Sequence, residues 1–278
     1  MVNSVWDVLL ADDLALLLLT PDEGRRTVSA RRAQLALAGA LLSELLLAGH
    51  LAPDPVERRL VPVAGAGPGG ARLQRAGVVA VQALPGHLPT QLGRVAQEEP
   101  WAGATGALAA GGVLREEQRI VLWVFPSVRW PLLDAGPRKA AAARVVGALR
   151  EAVQGRPVEP GAASLVRLLA AVGALRRAGI ELPAQSGWRA AGRTVDVVAR
   201  QRAVPPHLAP ALTDLELAVR RLAAGTSEGD VESGGSGGAW GGGWGSGGDL
   251  GGDSCGGGGE GGGDGGGGGD GGGGGGGD

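Results

Sequence analysis

The chain has 278 residues, with 26 basic and 28 acidic side chains, 55 glycines, one cysteine and no tyrosine. Its formal net charge of −2 hides two materials: residues 225–278 carry nine acids and no Lys or Arg, so residues 1–224 set all 26 bases against the other 19 acids, a net of +7. The lone Cys255 excludes an internal disulfide and points to a reducing compartment. The charge asymmetry suits an anionic partner, membrane or nucleic acid, or else the codon usage of a GC-rich genome, since every base but Lys139 is Arg.

The N-terminus has no basic leader and carries Asp7, Asp12 and Asp13, so it does not read as a secretory signal. Val5–Thr20 begins amphipathic and ends in four leucines before Pro21-Asp22-Glu23-Gly24, a pattern for a helix passing into a short buried strand and a turn. A basic cluster follows, Arg25, Arg26, Arg31 and Arg32. It is either a solvated flank or a set of contacts for anions or lipid headgroups.

Ala33–Leu51, AQLALAGALLSELLLAGHL, is nearly all Leu and Ala with no β-branched residue, and so is expected to be a helix. A helix apolar on almost every side is buried in protein or in lipid. Its length is close to the roughly 20 residues of a membrane span. However, Glu44 sits mid-segment, where an acid costs about 2.5–3.5 kcal/mol on insertion scales, and no second span follows to shelter it. A core helix is therefore expected.

Beyond Ala52 the chain turns to short β-prone pieces, 58–65 and 71–82, joined by the loop GAGPGG at 65–70. That loop fits a β-hairpin connection better than a dinucleotide fingerprint, which needs a strand before it and a helix after it. Leu84–Gln97 reads as loop and partial helix, and Trp101–Ala110 as a helix closing at Gly111-Gly112. Arg115–Asp134 reads as a hairpin, Ile120–Phe125 and Val128–Leu132 about a turn at Pro126-Ser127, carrying Trp123, Phe125 and Trp130 beside Arg129. It either packs on the core or offers an aromatic tip to a membrane interface.

Further helices are expected at Lys139–Val153, Ala162–Ala178 (ending in Arg176-Arg177 before Gly179), Trp188–Arg202 and Leu212–Ala224. From Gly225 glycine dominates and no core can form, so 225–278 is expected to be a disordered acidic tail appended to one domain, 1–224. Its aspartates lack the spacing of a calcium-binding nonapeptide repeat. His50, His87 and His207 stand far apart with no carboxylate or thiol at ligand spacing. With no nucleophile elbow, phosphate loop or paired carboxylates, neither catalysis nor a cofactor or metal is expected. No recognised motif frames the arginines for nucleic acid.

The order of these pieces carries a resemblance. GALLSELLLAGHL, the β-pieces, GGVLREEQRIVLWVF with RWPLLD, an Ala/Arg helix and SLVRLLAAVGALRRAG together resemble the Golgi phosphoprotein 3 family, in particular its bacterial relatives, over Val8–Gln201. Gly39–Leu51 and Gly112–Asp134 are the best blocks. The resemblance implies a mainly α, single-domain fold, with a buried central helix bundle ringed by amphipathic helices and small hairpins. It also implies a cytoplasmic, peripherally membrane-associated protein. Eukaryotic members bind phosphatidylinositol 4-phosphate on Golgi membranes and hold the cytoplasmic tails of membrane-bound glycosyltransferases. The tryptophan and arginines of their headgroup pocket fall at Ser29, Ala38, Glu98 and Trp101 here; none matches, so none is carried over. Their membrane-inserting hairpin corresponds to Val121–Leu132. The expected function is non-enzymatic binding of an anionic membrane lipid. The candidate residues are Arg25, Arg26, Arg31, Arg32 and Arg129 for the headgroup and Trp123, Phe125 and Trp130 for the membrane. The alternative is a protein-interaction adaptor that does not touch lipid.

Overall fold

A leucine- and alanine-rich helix, α2 (Ala30–Leu47), forms the axis around which the other elements pack. The Ser29 hydroxyl accepts from the Arg32 amide at its start, and Gly49 (φ +74°) turns the chain at its end, where the His50 amide donates to the Leu45 carbonyl at 2.9 Å. These two caps explain why the helix runs 30–47 rather than the expected 33–51. Twelve of its eighteen residues are buried, so the apolar surface that could have met lipid is spent on protein. Among the described residues no helix is long and apolar enough to cross a membrane.

The computed structural model describes residues 10–64, 77–79, 81–82, 86–121, 125–178, 180 and 188–225. Apart from Gly225, the expected tail lies outside them, as does Trp123. In chain order come α1 (Leu10–Leu17), α2, β1 (Leu51–Asp54), β2 (Arg59–Pro62), α3 (Leu88–Gln97), α4 (Pro100–Ala110), β3 (Glu117–Val121), β4 (Phe125–Arg129), α5 (Gly136–Val153), α6 (Pro160–Ala171), α7 (Trp188–Arg200) and α8 (Ala209–Ala224). The fold is mainly α, with two small antiparallel hairpins. Helices α1, α3, α4, α6 and α8 contact α2 directly, α5 packs on α1 and α6, and α7 packs on α5 and α6. At Gly39 a Cβ would lie 2.7 Å from Val219 and 2.9 Å from Leu168, so the missing side chain lets α8 and α6 close onto the axis.

Three local expectations need correction. β2 pairs backwards with β1, in the register Leu51↔Pro62 to Asp54↔Arg59, and residues 77–79 and 81–82 of the expected second strand are helical. The reversal is set by Asp54, whose Oδ1 accepts from the Val56 and Glu57 amides. Helix α6 stops at Ala171 instead of Ala178 because Gly173 takes φ +72° and the Ala174 amide returns to the Leu169 carbonyl, which leaves Arg176 and Arg177 beyond the helix. The β3–β4 register, from Glu117↔Arg129 to Val121↔Phe125, puts Pro126 and Ser127 inside β4 rather than at the turn.

Polar groups in the interior have defined tasks. The Glu44 carboxylate accepts from the Leu10 amide at 3.0 Å, capping the start of α1. Arg138, at the head of α5, donates to the carbonyls of Leu16 (3.2 Å), Leu19 (3.4 Å) and Ala178 (2.7 Å). The Gln91 side-chain amide makes two hydrogen bonds to the Leu60 backbone, at 2.8 and 2.9 Å, which dock α3 on β2.

Asp12 is one of several interior groups with a leftover polar atom: its Oδ1 is buried without a hydrogen-bond partner among the described residues. Desolvation, reinforced by the nearby Glu44 charge, pushes its carboxyl from 3.8 up to about 6. The folded state therefore holds this proton more tightly than the unfolded chain, and stability falls as pH rises from about 4 through 6. Asp12→Asn should remove that step. The variant should gain on the order of 2 kcal/mol over the parent at pH 7 but almost nothing near pH 4, read from paired urea titrations. An equal gain at both pH values would contradict the assignment.

Candidate functional site

The basic cluster before α2 begins in a small closed loop. Leu19 and Arg26 form an antiparallel bridge, the Thr20 amide donates to the Arg25 carbonyl at 2.8 Å, and the Thr27 amide donates to the Leu18 carbonyl at 2.8 Å. Arg138 holds the Leu19 carbonyl from beneath. Pro21–Glu23 form the expected turn and Gly24 takes φ +61°.

Gly24 joins this loop to the β3–β4 hairpin. The Trp130 amide donates to the Gly24 carbonyl at 2.9 Å, and a Cβ on Gly24 would lie 2.1 Å from the Trp130 carbonyl carbon. The hairpin base is closed by the Leu114↔Leu132 bridge and by the Arg115 amide on the Pro131 carbonyl at 3.0 Å. Two segments that the sequence offers as separate candidates thus meet backbone to backbone, 106 residues apart in sequence.

The candidate residues differ in what they already do. Arg25 is exposed and pairs with Glu23 at 2.8 Å. The Arg26 guanidinium lies over the ring of Trp101, 5.7 Å from its centroid, a cation–π contact. Trp101 itself is buried at the head of α4, and its amide donates to the Gln34 side chain of α2 at 3.0 Å. Arg31 is exposed on the first turn of α2, whereas the Arg32 Nε donates to the Ala223 carbonyl at the end of α8 (3.2 Å).

Arg129 ends β4 half-buried, and its Nε is buried without a hydrogen-bond partner among the described residues, a donor left over at the junction. Phe125 opens β4 opposite Val121. Trp130 lies just past the strand, half-buried against the core, at the base of the hairpin rather than its tip. Val128 and Leu133, both large and apolar, are exposed beside it.

Arg177 completes the cluster, its Nη1 donating to the Thr27 carbonyl at 3.1 Å. In sequence it reads as a helix-terminal charge, so only the early stop of α6 reveals it as part of this surface. The four positions aligned with the eukaryotic headgroup pocket are otherwise employed. Ser29 caps α2, Ala38 is buried, Glu98 follows α3, and Trp101 carries Arg26.

Among the described residues no group of His, Cys, Asp and Glu could hold a metal ion. The model of the Golgi phosphoprotein 3 (GPP34) family matches residues 10–215 of the chain. No curated protein matches it.

Proposed function

Because the chain belongs to the Golgi phosphoprotein 3 family, we propose that it is a non-enzymatic peripheral membrane protein whose Gly24 loop and β3–β4 hairpin together receive anionic lipid headgroups. The observation that carries this reading is the Trp130–Gly24 hydrogen bond, which joins an arginine-bearing loop to an apolar hairpin at one place. Membrane-surface proteins use the same pairing, with cations for the headgroups and exposed apolar side chains for the interface. Arg25, Arg26, Arg31 and Arg177 supply the charge, at about 1 kcal/mol each near an anionic leaflet, with half-buried Arg129 beside them on the hairpin. The lipid is phosphatidylinositol 4-phosphate or a bacterial anionic lipid, and the protein works from the cytoplasmic side.

Sedimentation with vesicles tests the proposal. The chain should pellet with vesicles containing phosphatidylglycerol or phosphatidylinositol 4-phosphate and stay in solution with pure phosphatidylcholine. Arg25→Gln combined with Arg31→Gln should weaken binding about thirtyfold with an unchanged melting temperature. Equal or absent binding to the three vesicles at low salt would overturn the reading.

One observation favours an adaptor instead. Arg32 and Arg25 already hold protein acceptors, Ala223 and Glu23, so half of the basic cluster is engaged before any headgroup arrives. An adaptor would use the hairpin aromatics as a protein contact, for example for the cytoplasmic tails of membrane proteins. The chain would then sediment with none of the three vesicles, and Trp123→Asp would abolish partner capture.

A further inference from the structure

A cleft of about 270 Å³ opens beside α8, between the β1–β2 reversal and the start of α3. Asp214, Leu217, Ala218 and Arg221 recur at helical spacing and give α8 one wall of it. Arg58 enters from the reversal, and His87, Leu88 and Pro89 from the start of α3. The Arg58 Nη2 lies 3.5 Å from the Asp214 carboxylate. Arg221, two turns further along α8, shares the same wall, since long helical side chains lean back toward the helix N-terminus. It is exposed and has no ion-pair partner among the described residues.

Arg58 is the residue that the fold does not account for. Its backbone takes φ +48°, a conformation that glycine or asparagine adopts at less cost. The surroundings enforce it. Asp54 Oδ1 holds the Val56 and Glu57 amides, His87 Nδ1 donates to the Glu57 carbonyl at 3.1 Å, and the Leu88 amide donates to the Arg58 carbonyl at 3.1 Å. In return the guanidinium makes one ion pair, whose side chains are 73 % and 44 % exposed, and such surface pairs stabilise little. Strain that is held by the neighbours and not offset by the residue's own contacts points to a ligand. The start of α3 adds no donors, because the Leu88 amide is on Arg58 and the Thr90 and Gln91 amides return to the His87 carbonyl. Recognition therefore falls to the side chains.

Two guanidiniums against one carboxylate leave the cleft with one positive charge in excess, which a singly charged anion balances. A guanidinium fork matches a carboxylate two hydrogen bonds at a time. The rest of the lining is largely apolar, with Leu88 and Ala218 buried and Leu217 half-buried. A cavity of about 150 Å³ is enough for benzene, so this volume takes a ring or a branched chain together with its acid group. We propose that the cleft binds a small organic carboxylate with an apolar body, through Arg58 and Arg221. It shares no residue with the Gly24 loop, the β3–β4 hairpin or the four positions aligned with the eukaryotic headgroup pocket, so it stands independently of the lipid reading.

Isothermal titration of the full chain with benzoate tests this. Benzoate should saturate one site, and its neutral amide, benzamide, should bind at least about tenfold more weakly. Arg221→Gln should weaken benzoate about tenfold. Arg58→Asn, which suits the same positive φ, should weaken it about tenfold without lowering the melting temperature. Asp214→Asn, which adds to the excess charge, should tighten it about threefold. Absence of saturation, equal binding of benzamide, or an affinity unchanged in both arginine variants would overturn the assignment. A lowered melting temperature in Arg58→Asn with benzoate affinity intact would overturn the role of Arg58. Tighter binding of glycerol 3-phosphate or inorganic phosphate than of benzoate would overturn the ligand class.

Discussion

Gly24→Ala is expected to cost at least about 3 kcal/mol of stability and to detach the arginine loop from the hairpin. Two effects add. At φ +61° an L side chain is strained whatever the space around it. Here there is also no space, because the new Cβ would lie 2.1 and 2.2 Å from the Trp130 carbonyl carbon and oxygen and 2.4 Å from the Pro131 nitrogen. These are backbone atoms, which cannot rotate away as a side chain could, so the two segments must part and lose the 2.9 Å hydrogen bond between them. Gly49→Ala is the control. It shares the positive φ (+74°) but has nothing within 4 Å, and should cost only about 1 kcal/mol. Denaturant midpoints compare the two. If Gly24→Ala costs no more than Gly49→Ala, the contact between loop and hairpin is not made.

Glu216→Ala is expected to cost about 3–5 kcal/mol through a different cause. The Glu216 carboxylate, on α8, is 2 % exposed and is shared by two arginines: Arg202, equally buried, on one oxygen, and Arg167 of α6 on the other at 2.8 Å. Removing the acid leaves the buried Arg202 guanidinium without its counter-charge and Arg167 with only the exposed Asp196 carboxylate. Arg202 already has a buried Nε that lacks a hydrogen-bond partner among the described residues, so it has no reserve of contacts to fall back on. Asp196→Ala provides the contrast. Asp196 touches Arg167 at 3.4 Å, but its side chain is 67 % exposed, and its loss should change stability by about 0.5 kcal/mol or less. Two substitutions of one acid each, on the same arginine, thus separate a buried charge network from a surface pair.

The parts of the fold that were legible in the sequence are those written in local chemistry. The Leu/Ala run of α2, its position as a buried axis, and the helices at 100–110, 136–153 and 209–224 follow from helix formers bounded by prolines and glycines. Glu44 was informative as an obstacle to membrane insertion. Its actual task, capping Leu10 from 34 residues away, is a tertiary contact with no local signature. Of the strand expected at 71–82, residues 77–79 and 81–82 are helical and the rest lie outside the described residues; the Val-rich pattern suits either state, and Gly77 sits close against Leu41 and Leu45 of α2. In the candidate surface the sequence offered the basic loop and the hairpin as separate readings, and nothing local states that they touch. Gly24 is the residue that encodes the contact, but a glycine closing a Pro-Asp-Glu-Gly turn explains itself locally and hides its second role. Arg177 reads in sequence as a helix-end charge, because only the three-dimensional position of that helix end reveals what it faces.

The central claim, that the loop and the hairpin form one membrane-facing surface, is tested most directly by hydrogen exchange on the full chain with and without phosphatidylglycerol vesicles. Amide exchange should slow together in 18–32 and in 113–133, joined through Gly24 and Trp130, while the β1–β2 hairpin and α3 exchange as they do in solution. Slowing in one segment without the other, or in neither, would contradict it.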